Sequence, residues 1–324
     1  MYRDAPWQAR ITKAVGLFTL YMSLILIVSG CSSQGKMPMV VRIGYEAIVP
    51  DYAFFVATER GYFEEQGLQV EAIQFNTTNE QTLALMAGRV DMIPNSSLAL
   101  LLAAEAEQPG RFQVFMANGD IGSKILVRAD SPITSVAELA GRSVGTLPGT
   151  TMITYCQLAL APYFVNLTPP TYVGMAPASL IEALTTKQVD AIIVVEPTAT
   201  VAIRTGVAKE ILDNLLGNVI TPFVGGATPL RAQLIKDNPK AAAAVVRAMN
   251  QAADFIHDRP DEASAILAKY TDFSPDLLKG TQVGSVWKLE EINREAVQAL
   301  ADILFKSGIV PRQIDTKGWY YAPR

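Results

Sequence analysis

The chain has 324 residues, half of them hydrophobic and 18% of them charged, with a formal net charge of −4 at pH 7. This apolar content supports a sizeable core and excludes a disordered chain. The acidic balance, without any stretch rich in lysine and arginine, argues against a nucleic-acid-binding protein.

The N-terminal segment has the features of a secretory signal peptide in the required order. Arg3, Arg10 and Lys13 precede an uncharged, mostly apolar run over residues 14–28. A helix that crosses a bilayer needs roughly 20 apolar residues, so this run is too short to favour a membrane span. The pattern therefore predicts a signal peptide that is removed.

The apolar run ends in Val28-Ser29-Gly30-Cys31, which resembles the lipobox of bacterial lipoproteins. The resemblance implies a cleaved signal peptide over residues 1–30, a lipid on Cys31 and a flexible tether over residues 31–37. An ordinary secretory signal beside a chance cysteine is the alternative. With Cys31 acylated, Cys156 has no partner, and we expect no intramolecular disulfide.

Between residue 40 and about residue 211, β-rich apolar runs alternate with helical patterns, which predicts an α/β protein with crossover helices. The predicted strands are residues 40–45, 70–74, 90–93, 112–116, 124–127, 143–146, 171–173 and 191–195. The predicted helices between them are residues 52–60, 79–87, 97–104, 136–139, 151–161, 178–185 and 198–205.

Beyond about residue 227 the pattern predicts helices alone, which should cover the sheet formed by the first half of the chain. Pro239 suits the first turn of a helix, and Gly308 suits the position after a helix end. These predicted helices are residues 227–237, 239–258, 261–270, 276–281 and 290–306.

A near-repeat relates two parts of the chain, residues 81–97 and 179–197. Each copy has an amphipathic helix, a polar turn, a Val-Asp pair, a short apolar strand and a loop with proline. Val90-Asp91 and Val189-Asp190 occupy equivalent positions. The repeat predicts two similar α/β lobes.

Five segments of the chain carry a family resemblance. They are "VRIGY" at 41–45, "ATERGYFEEQGLQVE" at 57–71, "ALMAGRVDM" at 84–92, "ILVRADSPITSVAELAGRSVG" at 125–145 and "EALTTKQVDAIIVVEP" at 182–197. Together they resemble the nitrate/sulfonate/taurine and thiamine-pyrimidine-precursor branch of ABC-transporter substrate-binding proteins. The resemblance covers about residues 40–205.

The resemblance implies a two-lobed periplasmic binding protein type 2 fold. In that fold each lobe is a mixed sheet flanked by helices, two hinge strands connect the lobes, and the ligand lies between them. Carried over to this chain, one lobe comprises residues 38–120 and 226–324, and the other comprises residues 121–225. The C-terminal region of the first lobe is helical.

In open α/β sheets, ligands bind beyond the carboxyl ends of the strands, where loops lead into helix starts. Several predicted strands are followed there by loops that are rich in small polar residues and contain neither arginine nor lysine. The candidate ligand-binding residues are Val49, Pro50, Asp51, Tyr52, Thr77, Thr78, Asn79, Asn95, Ser96, Ser97, Asn118, Gly149, Thr150, Thr151 and Glu196.

Two ligand chemistries fit these loops. The helix starts at Ser96-Ser97 and Thr150-Thr151 could bind nitrate or a sulfonate through backbone N–H groups, or their hydroxyls could serve only as N-caps. Asp51 and Glu196 would repel an anion but accept hydrogen bonds from an amine, amide or aminopyrimidine, unless Glu196 belongs to a structural turn. The balance slightly favours a ligand with donors.

Aromatic side chains could add a stacking surface for a ring. We expect one or two members of a set of five to lie in the cleft, and the others to lie in the core. The set is Tyr52, Phe54, Tyr155, Tyr172 and Phe223.

No catalytic or metal-binding motif is found in the sequence. The single histidine, His257, falls at a predicted helix end, and Cys156 has no base near it in sequence. The GxGxxG, P-loop, HExxH and paired-cysteine patterns do not occur. We therefore expect no metal, no cofactor and no enzyme activity.

These observations predict a monomeric, lipid-anchored, extracytoplasmic receptor. It would capture a small molecule in an interlobe cleft and deliver it to an ABC permease, without contacting nucleic acid. A sensory or partner-presenting lipoprotein with the same fold is the second hypothesis. An enzyme acting on a pyrimidine-like compound is the third.

Overall fold

The computed structural model describes residues 38–119, 122–148, 150–271, 273–278 and 285–323. The predicted signal peptide, the tether, Cys31 and Gly149 lie outside these residues. The chain from Pro38 onward forms one compact unit. No helix within the described ranges has both the length and the apolar character needed to cross a membrane.

The strands follow the predicted alternation through the first two thirds of the chain. They are β1 (Met39–Tyr45), β2 (Leu68–Gln74), β3 (Ser96–Ser97), β4 (Phe112–Asn118), β5 (Lys124–Arg128), β6 (Ser143–Thr146), β7 (Thr171–Gly174), β8 (Ala191–Val194), β9 (Ala208–Leu212), β10 (Gly226–Arg231) and β11 (Val286–Lys288).

The helices lie between and after these strands. They are α1 (Tyr52–Glu59), α2 (Tyr62–Glu65), α3 (Thr78–Met86), α4 (Leu98–Glu107), α5 (Thr150–Leu160), α6 (Pro177–Thr185), α7 (Thr198–Arg204), α8 (Ala232–Asp237), α9 (Pro239–Asp258), α10 (Pro260–Leu267), α11 (Pro275–Leu278) and α12 (Arg294–Lys306). Single 3₁₀ turns cover Val49–Asp51, Val136–Leu139, Ala161–Phe164, Leu215–Asn218 and Lys317–Trp319.

The strands form two mixed sheets. In the first, the parallel pair β1–β2 is joined to the antiparallel group β11-β4-β10-β3 by Met92, which bridges Ile43 and Leu230. The second sheet has the order β7-β6-β8-β5-β9. Its strands β7, β6 and β8 run parallel, and β5 runs antiparallel to β8 and to β9.

The near-repeat has a structural counterpart at its two aspartates. Asp91 N–H donates to the carbonyl oxygen of Arg42 at 2.8 Å, and the Asp91 carboxylate accepts the Arg42 N–H at 3.0 Å. Asp190 makes the same pair of bonds with Ser143, at 2.9 and 3.0 Å. Asp91 therefore joins the chain after α3 to β1, and Asp190 joins the chain after α6 to β6.

Helix α9 covers the first sheet with a face of small residues. Asn238 caps its start by accepting the N–H of Ala241 at 3.1 Å, and Pro239 occupies the first turn, as predicted. The small side chains allow α9 to approach α1 and β1 closely. The fully buried residues of α9 are Ala241, Ala242, Ala244, Val245, Ala248, Met249 and Ala252.

The prediction of helices alone after residue 227 was wrong. Residues 226–231 form β10, which pairs with both β3 and β4, and the helix begins only at Ala232. Pro229 lacks an N–H group, and the pairing register with β4 shifts between Thr228 and Pro229, which accommodates it. Strands β3, β9 and β11 were also not predicted, and the predicted strand over residues 90–93 is reduced to the bridges of Met92.

The chain crosses between the sheets twice, after β4 and after β9. The two crossings run beside each other. Gly225 N–H donates to the carbonyl oxygen of Asn118 at 3.0 Å, and Leu215 N–H donates to that of Ser123 at 3.0 Å. These backbone hydrogen bonds therefore hold the two crossings together at the junction of the two sheets.

Candidate functional site

A cavity of about 560 Å³ is bounded by residues from both sheets and both crossings. None of the described residues that line it carries a charged side chain. The lining residues are Ile48, Pro50, Thr78, Asn79, Asn95, Ser97, Leu100, Asn118, Gly119, Leu147, Pro148, Thr151, Met152, Tyr155, Val195, Leu216, Phe223, Gly225 and Gly226.

Seven of the predicted ligand-binding residues lie together in this lining. They come from the turn after β1, the end of β4, the starts of α3 and α5, and the residues just before α4. Their arrangement follows the expectation that strand ends and helix starts converge on one region. The seven residues are Pro50, Thr78, Asn79, Asn95, Ser97, Asn118 and Thr151.

Six other predicted residues are not part of the lining. Val49 and Tyr52 belong to the hydrophobic core around α1 and α9. The Thr77 hydroxyl accepts the N–H of Glu80 at 3.2 Å and caps α3, and the Ser96 hydroxyl lies 2.8 Å from that of Thr82. The remaining two residues are Asp51 and Glu196.

Glu196 stabilises the start of α7. Its side chain is buried, and its carboxylate accepts the N–H of Thr200 at 3.0 Å. This geometry is that of a helix-start carboxylate, which satisfies an otherwise unpaired N–H. Of the predicted Gly149-Thr150-Thr151 segment, Gly149 lies outside the described residues and Thr150 begins α5.

Two side-chain amides of the lining are hydrogen-bonded to each other, that of Asn118 at the end of β4 and that of Asn95 just before β3. Asn118 Nδ2 donates to the carbonyl oxygen of Pro50 and to Asn95 Oδ1, both at 3.2 Å. A carbonyl oxygen only accepts, so the Asn118 atom facing Pro50 is the amide nitrogen. The Asn95 atom facing that nitrogen is then the oxygen, and the orientation of both amides is determined.

Close backbone packing holds Asn95 in this position. Gly226 of β10 faces it so closely that a Cβ atom there would lie 2.2 Å from Asn95 Oδ1 and 2.8 Å from the carbonyl oxygen of Ser96. Only glycine leaves room for the asparagine at this approach. Sequence reasoning missed Gly226, because the residue was predicted to end a loop before a helix.

The starts of α3 and α4, near the cavity, are largely satisfied by hydrogen bonds within the chain. At α4, Leu98 N–H donates to the carbonyl oxygen of Gly225 at 3.0 Å, and the Ser97 hydroxyl accepts the N–H of Leu100 at 3.3 Å. At α3, Glu80 lies in the first turn and accepts the N–H of Asn76 at 3.2 Å. These contacts support the N-cap interpretation of the hydroxyls.

Two carboxyl groups lie buried next to the loop that carries Pro50. Glu46 and Asp51 are 7% and 0% exposed, and Asp51 accepts the Glu46 N–H at 2.7 Å. Burial raises the pKa of Asp51 well above its ordinary value and also raises the pKa of Glu46. Within the described chain, Glu46 Oε1, Asp51 Oδ1 and both polar atoms of Gln81 have no hydrogen-bond partner.

Tyr155 and Phe223 supply the aromatic surface of the cavity. Their rings meet edge to face with centroids 5.2 Å apart. The buried Tyr155 hydroxyl has no hydrogen-bond partner among the described residues, and burial raises its pKa. Tyr52 and Phe54 pack in the core, and Tyr172 packs against the core of the second sheet.

The apolar lining was largely missed, since hydrophobic residues resemble core residues in a sequence. Leu147 and Pro148 follow β6 directly, so the strand-end rule that selected Thr151 would also have selected them. Leu216 comes from the second crossing, for which the sequence carries no binding motif.

Cys156 and His257 carry the other side chains capable of nucleophilic or acid–base chemistry, and neither lies in a catalytic arrangement. Cys156 is buried, and burial raises its pKa to about 11, which disfavours the reactive thiolate. The His257 side chain is 90% exposed and contacts Asp258. Across the described ranges, no group of three or more His, Cys, Asp or Glu side chains could hold a metal ion.

Comparison with known proteins links the chain to one family. The family model described as "NMT1/THI5 like" matches residues 51–263. A protein of Brucella abortus (strain 2308), provisionally described as a binding protein, is 25% identical over 310 residues, covering 87% of this chain and 90% of the relative.

Solved structures share the fold. The periplasmic aliphatic sulphonate binding protein of Escherichia coli has a TM-score of 0.73 at 19% identity, covering 88% of this chain and 98% of its own. The alkanesulfonate-binding protein of Xanthomonas axonopodis pv. citri, bound to MOPS, has a TM-score of 0.69 at 19% identity, with coverages of 88% and 99%.

A Candida albicans gene product with the generic periplasmic binding protein fold has a TM-score of 0.64 at 14% identity, covering 85% of this chain and 92% of its own. Together these likenesses confirm the predicted fold class.

Proposed function

Because this chain belongs to the NMT1/THI5-like family, we propose that it is an extracytoplasmic receptor that binds a small solute and delivers it to an ABC permease. The membership confirms the family predicted from the five motif segments. The Brucella relative supports the binding role, since it matches this chain over most of both lengths.

The cavity is the observation that carries this proposal. Its volume of about 560 Å³ falls in the range of small-molecule sites, and its lining is mostly apolar with a few polar side chains that converge on it. Because residues of both sheets and of both crossings line it, a solute there would contact both halves of the unit.

We further propose that residues 38–120 with 226–324 form one lobe and that residues 121–225 form the other. The paired crossings would then act as the hinge. A solute that contacts both lobes binds the closed arrangement better than the open one, and this differential affinity is what drives closure. A permease that recognises the closed arrangement would thereby receive only loaded receptors.

The N-terminal segment supports the proposal of a lipid anchor on Cys31. The lipobox-like tetrapeptide provides the acylated cysteine, and residues 31–37 provide a short polar tether. Anchoring would raise the effective concentration of the receptor near its permease. The proposed receptor acts as a monomer.

A non-catalytic role is part of the proposal. The single histidine is exposed and the described thiol is buried with a raised pKa, so neither supplies an activated nucleophile beside the cavity. An enzyme with this fold would have to work with the amide and hydroxyl groups of the lining.

The direct test is thermal unfolding of the mature protein with a panel of solutes. The panel contains sulfonates, nitrate, aminopyrimidines and uncharged nitrogen compounds. A solute at 100 times its Kd stabilises the folded state by about 2.7 kcal/mol, which is readily measured. A panel without any stabilising compound would contradict the proposal, and loss of uptake of the positive compound in a strain lacking the protein would complete the support.

A further inference from the structure

We infer that the cavity selects an uncharged solute with a hydrogen-bond acceptor beside a donor, as in an amide, lactam or ureide, and that Asn95 and Asn118 recognise this pair. The inference rests on the proposed function, since it names the class of solute that the receptor binds. Three features carry it: the orientation of the two amides, the uncharged side chains of the described lining and the occupied starts of α3 and α4.

The orientation of the amides leaves one group of each kind for a solute. Both hydrogens of Asn118 Nδ2 are used, by Pro50 and by Asn95, so Asn118 keeps Oδ1 as its acceptor. Asn95 uses Oδ1 to receive this bond and keeps Nδ2 as its donor. Neither of the two remaining atoms has a hydrogen-bond partner within the described chain.

Both asparagines are only 9% exposed, and both line the cavity. A solute that fills the cavity displaces water from Asn95 Nδ2 and Asn118 Oδ1, so a solute that satisfies both atoms binds better than one that leaves either unpaired. A carboxylate or sulfonate offers only acceptors. Such a group could pair with Asn95 Nδ2 but would face Asn118 Oδ1 with like polarity.

The electrostatics of the cavity also disfavour an anion. Arginine and lysine are absent from the described lining. Two acidic residues lie near its α3 side, since Glu80 is in the first turn of α3 and Glu46 begins the loop that carries Pro50. An anion would have to leave water without a cation to receive it, at a large desolvation cost.

The starts of α3 and α4 do not replace the missing cations. At α4 the N–H groups of Leu98 and Leu100 already donate to Gly225 and to Ser97. At α3 the Thr77 hydroxyl receives the N–H of Glu80. The dipoles of these two helix starts remain, but several of their N–H groups already donate within the chain.

The remaining surface suits a compact apolar body attached to the polar group. Leu100, Met152, Val195 and Leu216 provide aliphatic contacts, and the ring of Tyr155 provides an aromatic one. The inferred solute is therefore a small ring or branched chain that bears one uncharged amide-type group.

The test measures the Kd values of matched compounds for the mature protein by titration calorimetry. Each set carries a primary amide, a carboxylate and a sulfonate on one body: phenyl, pyridyl and short alkyl. Hydantoin and 2-pyrrolidinone add a cyclic ureide and a lactam. We expect uncharged members to bind at least about tenfold more tightly than their charged counterparts, a factor that corresponds to about 1.4 kcal/mol.

The Asn95→Asp variant tests the assignment of the atoms. The substitution keeps an oxygen to accept from Asn118 and replaces the donor with a second oxygen. We expect the Kd of the amide to rise at least tenfold, while the melting temperature of the free variant reports any structural effect. Asn238→Asp is the matched control, since the N-cap of α9 needs only Oδ1 and lies outside the cavity lining. Its Kd should equal that of the unmodified protein.

The outcomes separate the inference from the function. Preference for uncharged members, lost in Asn95→Asp, supports both. Equal or tighter binding of the carboxylates or sulfonates overturns the inference and leaves a solute receptor in place. Binding by none of the compounds here, or of the wider panel above, counts against the receptor itself.

Discussion

The carboxylate of Asp91 accepts hydrogen bonds from the guanidinium of Arg231, 140 residues further along the chain. It also accepts the backbone N–H and the guanidinium of Arg42. Asp91 therefore ties β1 to the end of β10, on either side of the Met92 bridge. Burial opposes its ionisation, but the bonds from Arg42 and Arg231 hold the pKa of Asp91 below its ordinary value.

Replacement of Asp91 by alanine should lower the free energy of unfolding by about 3 kcal/mol, because it leaves the partly buried Arg231 without its counter-charge. Asp190 is the matched control, since it makes the same backbone contacts in the second sheet but its side chain is 38% exposed. Asp190→Ala should cost about 1 kcal/mol. Urea unfolding measures both, and equal losses would refute the role assigned to the buried ion pair.

Asp51 should make stability depend on pH in the opposite sense from Asp91. Its pKa is raised in the folded state by burial, so stability falls as the pH rises from the unfolded value of about 3.9 towards the folded one. Asp51→Asn removes this loss and keeps an oxygen for the Glu46 N–H. We expect the variant to have a higher free energy of unfolding than the unmodified protein at pH 8 and to match it near pH 4.

Thermal unfolding across this pH range measures the effect of Asp51→Asn. Asp237→Asn, at an exposed carboxylate, is the control and should leave the pH dependence unchanged. A difference between Asp51→Asn and the unmodified protein that stays constant from pH 4 to pH 8 would show that ionisation of Asp51 is not its cause.

Gly226→Ala should impair the cavity. The added Cβ would lie 2.2 Å from Asn95 Oδ1, so the amide pair must move, at a cost of about 1–3 kcal/mol in stability and with loss of solute binding. At neighbouring Gly225, the nearest atom to an added Cβ is 3.4 Å away, and Gly225→Ala should change little. Melting temperatures with and without solute distinguish the two, and normal binding by Gly226→Ala would contradict the close approach.

Tyr155→Phe removes a buried hydroxyl that has no hydrogen-bond partner in the described chain. The free protein should therefore keep its stability or gain up to about 1 kcal/mol, since no hydrogen bond is lost. Solute affinity should fall if the hydroxyl contacts the bound molecule. A destabilisation above about 1 kcal/mol, measured by urea unfolding, would mean that the hydroxyl is bonded after all.

Cys31→Ala should release the protein from the membrane fraction without changing the folded unit. Fractionation followed by immunoblotting measures the release, and the melting temperature of the purified protein serves as the control. Uptake should fall because the receptor is diluted away from its permease. A variant that stays in the membrane fraction would exclude the lipid as the anchor.

The fold was predictable where a local rule decides the structure. Helix α9 was predicted over its observed length, because Asn238 and Pro239 mark its start and its apolar residues recur at helical spacing. Strand β10 was not predicted. Its residues are buried on both faces, so the alternation typical of a strand is absent, and Pro229 argued against a strand.

The candidate site was predictable to the level of loops. Strand ends indicated the loops that carry Pro50, Asn95 and Thr151, but not which side chains face inward. Thr77 and Thr78 illustrate the limit, since one caps α3 and the next lines the cavity. Gly226 is the first residue of β10, directly after the second crossing, and the tertiary fold rather than a local sequence pattern brings it beside Asn95.

The polarity of the Asn95 and Asn118 pair originates in a backbone carbonyl, that of Pro50. Every amino acid supplies this group, so no substitution at position 50 can remove it as long as the loop keeps its course. Natural drift or laboratory selection towards a solute with the opposite pattern of donor and acceptor must therefore change one of the two asparagines. The proposed preference for one donor and one acceptor is therefore fixed by the backbone of the loop and can be altered through the side chains of Asn95 and Asn118.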